Sequence, residues 1–128
     1  MRKLILAVFL IVVSNITLAA SDRWLKVDGN SDLAMFIDLA TLDINKNIVK
    51  AWILVNYSSP QKGDEGTFLS VKHFDMFDCN SREKQNLYFS AYEKNNGDGK
   101  LMAAEKMNDI SPVVPGTMTE KIFNSVCK

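Results

Sequence analysis

The chain has 128 residues, 15 basic and 15 acidic side chains, and is 47% apolar. That balance excludes a basic face for nucleic acid and a basic helix for a membrane surface, and it leaves enough apolar side chain for one small core. Without Arg2 and Lys3, which fall in a leader, 13 basic residues stand against 15 acidic ones, a charge near −2 that points to no charged partner.

Arg2 and Lys3 precede an unbroken apolar run from Leu4 to Val13, and small and polar residues lead through Thr17, Ala19 and Ala20 to Ser21. That order predicts a secretory signal peptide over residues 1–20, cleaved after Ala19 or Ala20. The apolar core is too short to span the bilayer, which takes about 20 apolar residues. Residues 21–128 then form one small exported domain.

Short strands separated by turn signals follow. Trp24–Val27 reads as a strand closed by Asp28-Gly29-Asn30, and Ala34–Leu39 as a second. In Ile48–Asn56, Val49, Ala51, Ile53 and Val55 form a wholly apolar face, and Ile48, Lys50, Trp52 and Leu54 a mixed one. Period-two alternation of this kind sets the first face against a core. Tyr57–Gly66 reads as a loop, broken by Pro60, Gly63 and Gly66. Thr67–Cys79 is a long strand. Asn86–Lys94 is another, with Leu87, Phe89 and Ala91 on one face and Tyr88, Ser90 and Tyr92 on the other. Asn95 to Gly99 is a strong turn, since Asn and Gly tolerate positive φ. Lys100–Met107 returns as a strand, with a helical alternative around Met102-Ala103-Ala104. Thr117 to Glu120 fits a capping box, in which the Thr117 hydroxyl takes the Glu120 N–H and the Glu120 carboxylate reaches back to the Thr117 N–H. A helix over Met118–Val126 should carry Met118, Ile122 and Val126 as an apolar stripe. The fold expected is α+β, an antiparallel sheet of about six strands with a C-terminal helix on one face.

Cys79 and Cys127 are the two cysteines. In an exported domain they most simply form one disulfide. Closing a loop of about 49 residues is worth ~4 kcal/mol in the chain-entropy model. Their spacing fits neither a CxxC redox pair nor a zinc cluster.

The tryptophan-led Trp24-Leu25-Lys26-Val27, the Ile37-Asp38 strand ending, Val49 to Asn56, Phe77-Asp78-Cys79 with Arg82 beyond, and Pro115-Gly116-Thr117 leading to a helix that ends in Cys127 recur in that order. In this the chain resembles the surface-adhesin protein E family of Gram-negative bacteria. The resemblance implies a six-stranded antiparallel sheet related to the PAS fold, with the terminal helix tied to the sheet by Cys79–Cys127. It also implies dimerisation through the sheet and binding to host matrix proteins such as vitronectin and laminin. Two features differ from the family. The chain lacks a cysteine to be lipidated at its mature N-terminus, and Met107 stands where a tryptophan is common. A periplasmic, secreted or cell-surface protein that is not a lipoprotein is expected, with a host-matrix or envelope protein as partner; the alternative is a periplasmic small-ligand or envelope-protein binding module that shares only the fold.

Trp52, Tyr57, Phe74, Tyr88 and Tyr92 are the candidate protein-binding residues, as an aromatic strip on the sheet's second face; aromatics of that kind anchor interfaces, and the competing role is ordinary core. His73 and Asp75 share a face of the long strand and could orient a base or hold a metal, while Asp78 points the other way. Lys94 to Glu105 mimics an EF-hand loop, but its first position is a lysine rather than a carboxylate. No nucleophile elbow, P-loop or His-Glu-x-x-His motif occurs, so neither enzyme activity nor a cofactor is expected.

Overall fold

The computed structural model describes residues 23–128, so the leader and its cleavage point lie outside the described residues. The strands are β1 (Trp24–Gly29), β2 (Leu33–Asp38), β3 (Asp43–Asn45), β4 (Ile48–Gly63), β5 (Gly66–Asp78), β6 (Glu83–Tyr92) and β7 (Leu101–Pro112), followed by the helix α1 (Met118–Val126). They form one antiparallel sheet in the order β1-β2-β4-β5-β6-β7, with β3 also on β4. β2 pairs with Ile53 to Tyr57, and β3 with Ile48 to Lys50. The two therefore lie end to end along one flank of β4, and the sheet is six strands wide.

Alternation along β4 sorts the two faces as expected. Val49, Ala51, Ile53 and Val55 are buried with Ile37, Val71, Phe77 and Ala91 under Ile122, Phe123 and Val126 of the helix. Each of the Val, Ile and Phe side chains among them contributes about 1.5–3 kcal/mol on burial. Phe123 meets Phe77 edge-on at 6.3 Å between ring centroids. Lys121 reaches Asp28 of β1 at 3.1 Å, and Cys127 is bonded to Cys79 at the end of β5.

Four expectations need correction. Tyr57 to Gly66 is not a loop: β4 runs on to Gly63 and turns through Asp64-Glu65 into Gly66. Pairing passes from Asn56–Ser70 to Gln61–Phe68, so residues 57–60 bulge opposite a single partner residue. Pro60 sits in that bulge, where its missing N–H breaks no ladder bond. Leu87 does not share the face of Phe89 and Ala91. It is skipped in both ladders of β6, and the bulge brings Asn86 to the helix side instead. β7 continues to Pro112 rather than ending at Met107, which a proline allows on an edge strand. Finally, the Thr117 hydroxyl does accept the Glu120 N–H at 3.3 Å. Glu120, however, takes the N–H of Gly116 at 3.2 Å, not that of Thr117. The backbone reverses at Gly116 (φ +80°), and Arg82 holds the other carboxylate oxygen at 3.2 Å.

Candidate functional site

Because α1 covers one face, strand parity leaves the other face open. Trp52, Phe74 and Tyr88 are directly paired across β4, β5 and β6. Trp52 stacks on Phe74 at 4.9 Å and meets Tyr88 edge-on at 5.9 Å. Two residues along β5, Lys72 follows by the same parity, and its Nζ lies 5.7 Å from the Trp24 ring and 5.4 Å from the Tyr92 ring. Tyr92 OH also receives the Ser90 hydroxyl at 3.1 Å. These aromatics are neither sealed nor fully bare, and Trp24, Trp52, Tyr88 and Tyr92 line a recess of about 220 Å³ with Lys72. Ammonium groups facing aromatic rings gain from the ring quadrupole, and here that fixes a cation among them.

The rim of this recess is an ion pair. Arg23 Nε and Nη2 donate to the two oxygens of Asp38, both at 2.7 Å. Thr41 Oγ1 and the Ala40 N–H add further bonds to the same carboxylate. Burial opposes ionisation of Asp38, but the bonds from Arg23, Thr41 and Ala40 outweigh it and hold its pKa below the usual carboxylate value. Fork-to-fork pairing makes this a rigid edge rather than a mobile one.

Tyr57 does not join the strip. Since β4 continues through it, Tyr57 falls on the same face as Val55 and packs on the helix side, edge-on to Phe68 at 6.0 Å. There it lines a second recess, of about 260 Å³, between the sheet and α1. His73 and Asp75 line it too. Asn86 donates to Asp75 Oδ1 at 2.6 Å and lies 3.4 Å from His73 Nδ1, and Lys84 Nζ stands 3.9 Å from Asp75 Oδ2. Burial lowers the His73 pKa, against the pull of the Asp75 charge and with the push of Lys84.

The remaining candidates have structural roles. Asp78 accepts from Asn47 Nδ2 and from the Asn80 N–H, both at 3.0 Å, and so closes the turn before β6. In the EF-hand-like segment, Asn96 and Asn56 exchange two bonds of 2.8 Å, and Asn95 donates to the Tyr57 and Leu69 carbonyls. That loop is a clasp between strands. Among the described residues no group of three or more His, Cys, Asp or Glu side chains could hold a metal.

Sequence reasoning missed Trp24, Lys72, Arg23 and Asp38 as parts of the open face. Lys72 was within reach, being two residues from Phe74 on one strand. Trp24 and Asp38 require the β1–β2 pairing, which places them opposite each other.

The domain is thus a disulfide-pinned antiparallel sheet with a helix on one face and an aromatic, cation-bearing recess on the other. Surface-adhesin protein E matches residues 24–128, and the chain belongs to that family. Solved structures of Haemophilus influenzae protein E share the fold. One crystal form has a TM-score of 0.67 at 16% identity, covering 82% of this chain and 87% of that one. A second has 0.64 at 18%, covering 82% and 83%. Protein E from non-typeable Haemophilus influenzae has 0.65 at 16%, covering 88% and 79%. No curated protein matches the chain by sequence.

Proposed function

We propose that this chain is an exported adhesin-type domain that binds a protein partner through its open sheet face, and that it catalyses no reaction. The observation that carries the reading is the partly exposed cluster of Trp52, Phe74, Tyr88 and Tyr92 on the face opposite the helix. Clustered aromatics ringed by polar groups are what interface hot spots are made of, because they bury much area at little entropic cost. Lys72, Arg23 and Asp38 supply the polar ring. Membership of the surface-adhesin protein E family supports a host protein as partner, with vitronectin and laminin first. Residues 1–20 are a cleaved leader in this reading, in keeping with the basic, apolar, small-residue order of the N-terminus. Among the described residues no helix is long and apolar enough to cross a membrane. Two copies can also pair through the sheet.

The test is a side-by-side capture with the purified, oxidised protein as bait, against matrix proteins and against an envelope extract. Saturable binding of vitronectin or laminin is the expected result. Selective capture of one envelope protein with no matrix binding would make this an envelope module that shares only the adhesin's fold.

A further inference from the structure

An open sheet has two edges, and here they differ. β1 is 6 residues long, is bulged between Lys26 and Asp28, and is tied to α1 by the Lys121–Asp28 ion pair. β7 is 12 residues long, and among the described residues it pairs with β6 alone. The N–H and C=O groups along its outer flank therefore have no strand partner, which makes that flank a template for an added strand. Apart from Met102 and Met107, its residues are exposed.

Ladder pairing sorts the side chains of this edge. Ala103, Glu105 and Asp109 stand opposite Ala91, Phe89 and Asn86 in the helix-side row, while Lys106 stands opposite Tyr88 on the open face. Beside the helix-side row, between the β4–β5 turn and the first half of β7, runs a solvent-open groove of about 560 Å³. Phe68, Phe89, Ala91 and Met102 give it apolar surface, Asp64, Glu65 and Glu105 line it with carboxylates, and no lysine or arginine lines it. None of these three carboxylates is in an ion pair; the four pairs among the described residues use Asp38, Glu120, Asp75 and Asp28. The way in from the outer edge is unobstructed, because Ala103 and its neighbour Ala91 present only methyl groups. An added strand lies about 4.8 Å out, which sets one of its side chains beside Ala103.

A second copy of this chain is the poorer occupant. Two β7 strands paired about a two-fold axis keep their helix sides together. Each would then add its own Glu105 and Asp109 to a row that already holds them, and like charges across strands are destabilising.

We propose that the outer edge of β7 takes an extended, basic segment of a partner protein as an added strand. An apolar side chain of that segment passes Ala103 into the groove, and basic side chains two residues to either side face Glu105 and the Asp64-Glu65 turn. This surface is separate from the aromatic face, so it stands or falls independently of the reading above.

The test is an NMR titration of the oxidised protein with the blocked peptide acetyl-Thr-Lys-Thr-Leu-Thr-Lys-Thr-amide and three analogues. One has glutamate for both lysines, one has serine for leucine, and one is N-methylated at every backbone amide, which keeps the side chains and removes the strand-pairing donors. The parent peptide should shift the amides of Ala103, Ala104 and Glu105 and slow their hydrogen exchange. It should bind at least tenfold more tightly than the glutamate and N-methylated analogues, and more tightly than the serine analogue. Glu105→Lys, at an exposed position, should reverse the order of the lysine and glutamate peptides. The proposal is overturned if the parent peptide does not bind, if its shifts fall only on other strands, or if any analogue binds as well. Self-association of the protein through β7 would also overturn it, since a second copy would then hold the edge.

Discussion

Asp38 stays ionised although it is almost wholly buried, because Arg23, Thr41 and the Ala40 N–H surround its carboxylate. Its folded pKa lies below its unfolded value of about 3.9, so its contribution to stability is complete above about pH 3.9 and is lost as pH falls through the folded value. Asp28 and Asp78 are depressed as well, so acid should destabilise the protein steeply in this range. His73 acts in a higher window. Its folded pKa is lowered, so the unfolded chain takes the proton more readily, and stability falls as pH drops below about 6.5. Urea midpoints measured from pH 8 to pH 3 should show both losses. Asp38→Asn should flatten the lower one, and His73→Gln the upper. A second residue-level test uses two glycines with positive φ. A β-carbon on Gly97 (φ +71°) would lie 2.5 Å from Lys72 Cε, whereas one on Gly116 (φ +80°) would meet nothing within 4 Å. Alanine at either site carries the left-handed strain of roughly 1–2 kcal/mol. Only Gly97→Ala should also displace Lys72 from Trp24 and change the tryptophan emission. An equal spectral change in Gly116→Ala would mean that Lys72 is not held where the geometry places it.

The strands show which elements are readable in a sequence and which are not. Val49, Ala51, Ile53 and Val55 announce a buried face because period two is a local property, and the helix announces itself through Thr117, Glu120 and its apolar stripe. Bulges escape such reading. At residues 57–60 and at Leu87 the strand carries extra residues with no partner of their own across the ladder, and nothing in the local pattern records that. β3 escaped too, as three exposed residues stabilised only by pairing with β4. At the helix, the cap and the disulfide act together. Thr117→Ala should cost about 1 kcal/mol. Reducing Cys79–Cys127 should cost about 4 kcal/mol on the loop-entropy estimate. Urea unfolding with and without reductant separates the two. An unchanged midpoint on reduction would show that the α1 packing by Ile122, Phe123 and Val126 suffices alone.

For the molecule as a whole, the aromatic site was partly written in the sequence. Trp52, Phe74, Tyr88 and Tyr92 follow from the parity of three strands. Tyr57 was assigned to the wrong face because β4 was taken to end one residue before it. Trp24 and the Arg23–Asp38 pair entered only once β1 and β2 were aligned, and the helix-side recess only once α1 was docked. One face is closed by a helix tethered through Cys127, and the other is left open, the face proposed above to meet a partner. Binding should therefore depend on the open face and not on the helix side. The most direct measurement is the affinity of the oxidised protein for immobilised vitronectin and laminin, compared across wild type, Trp52→Ala, Tyr88→Ala and His73→Phe. The aromatic substitutions should each weaken binding at least tenfold, as central hot spots do, while His73→Phe leaves it unchanged. Undiminished binding by folded Trp52→Ala and Tyr88→Ala proteins would contradict the assignment of the open face as the binding surface.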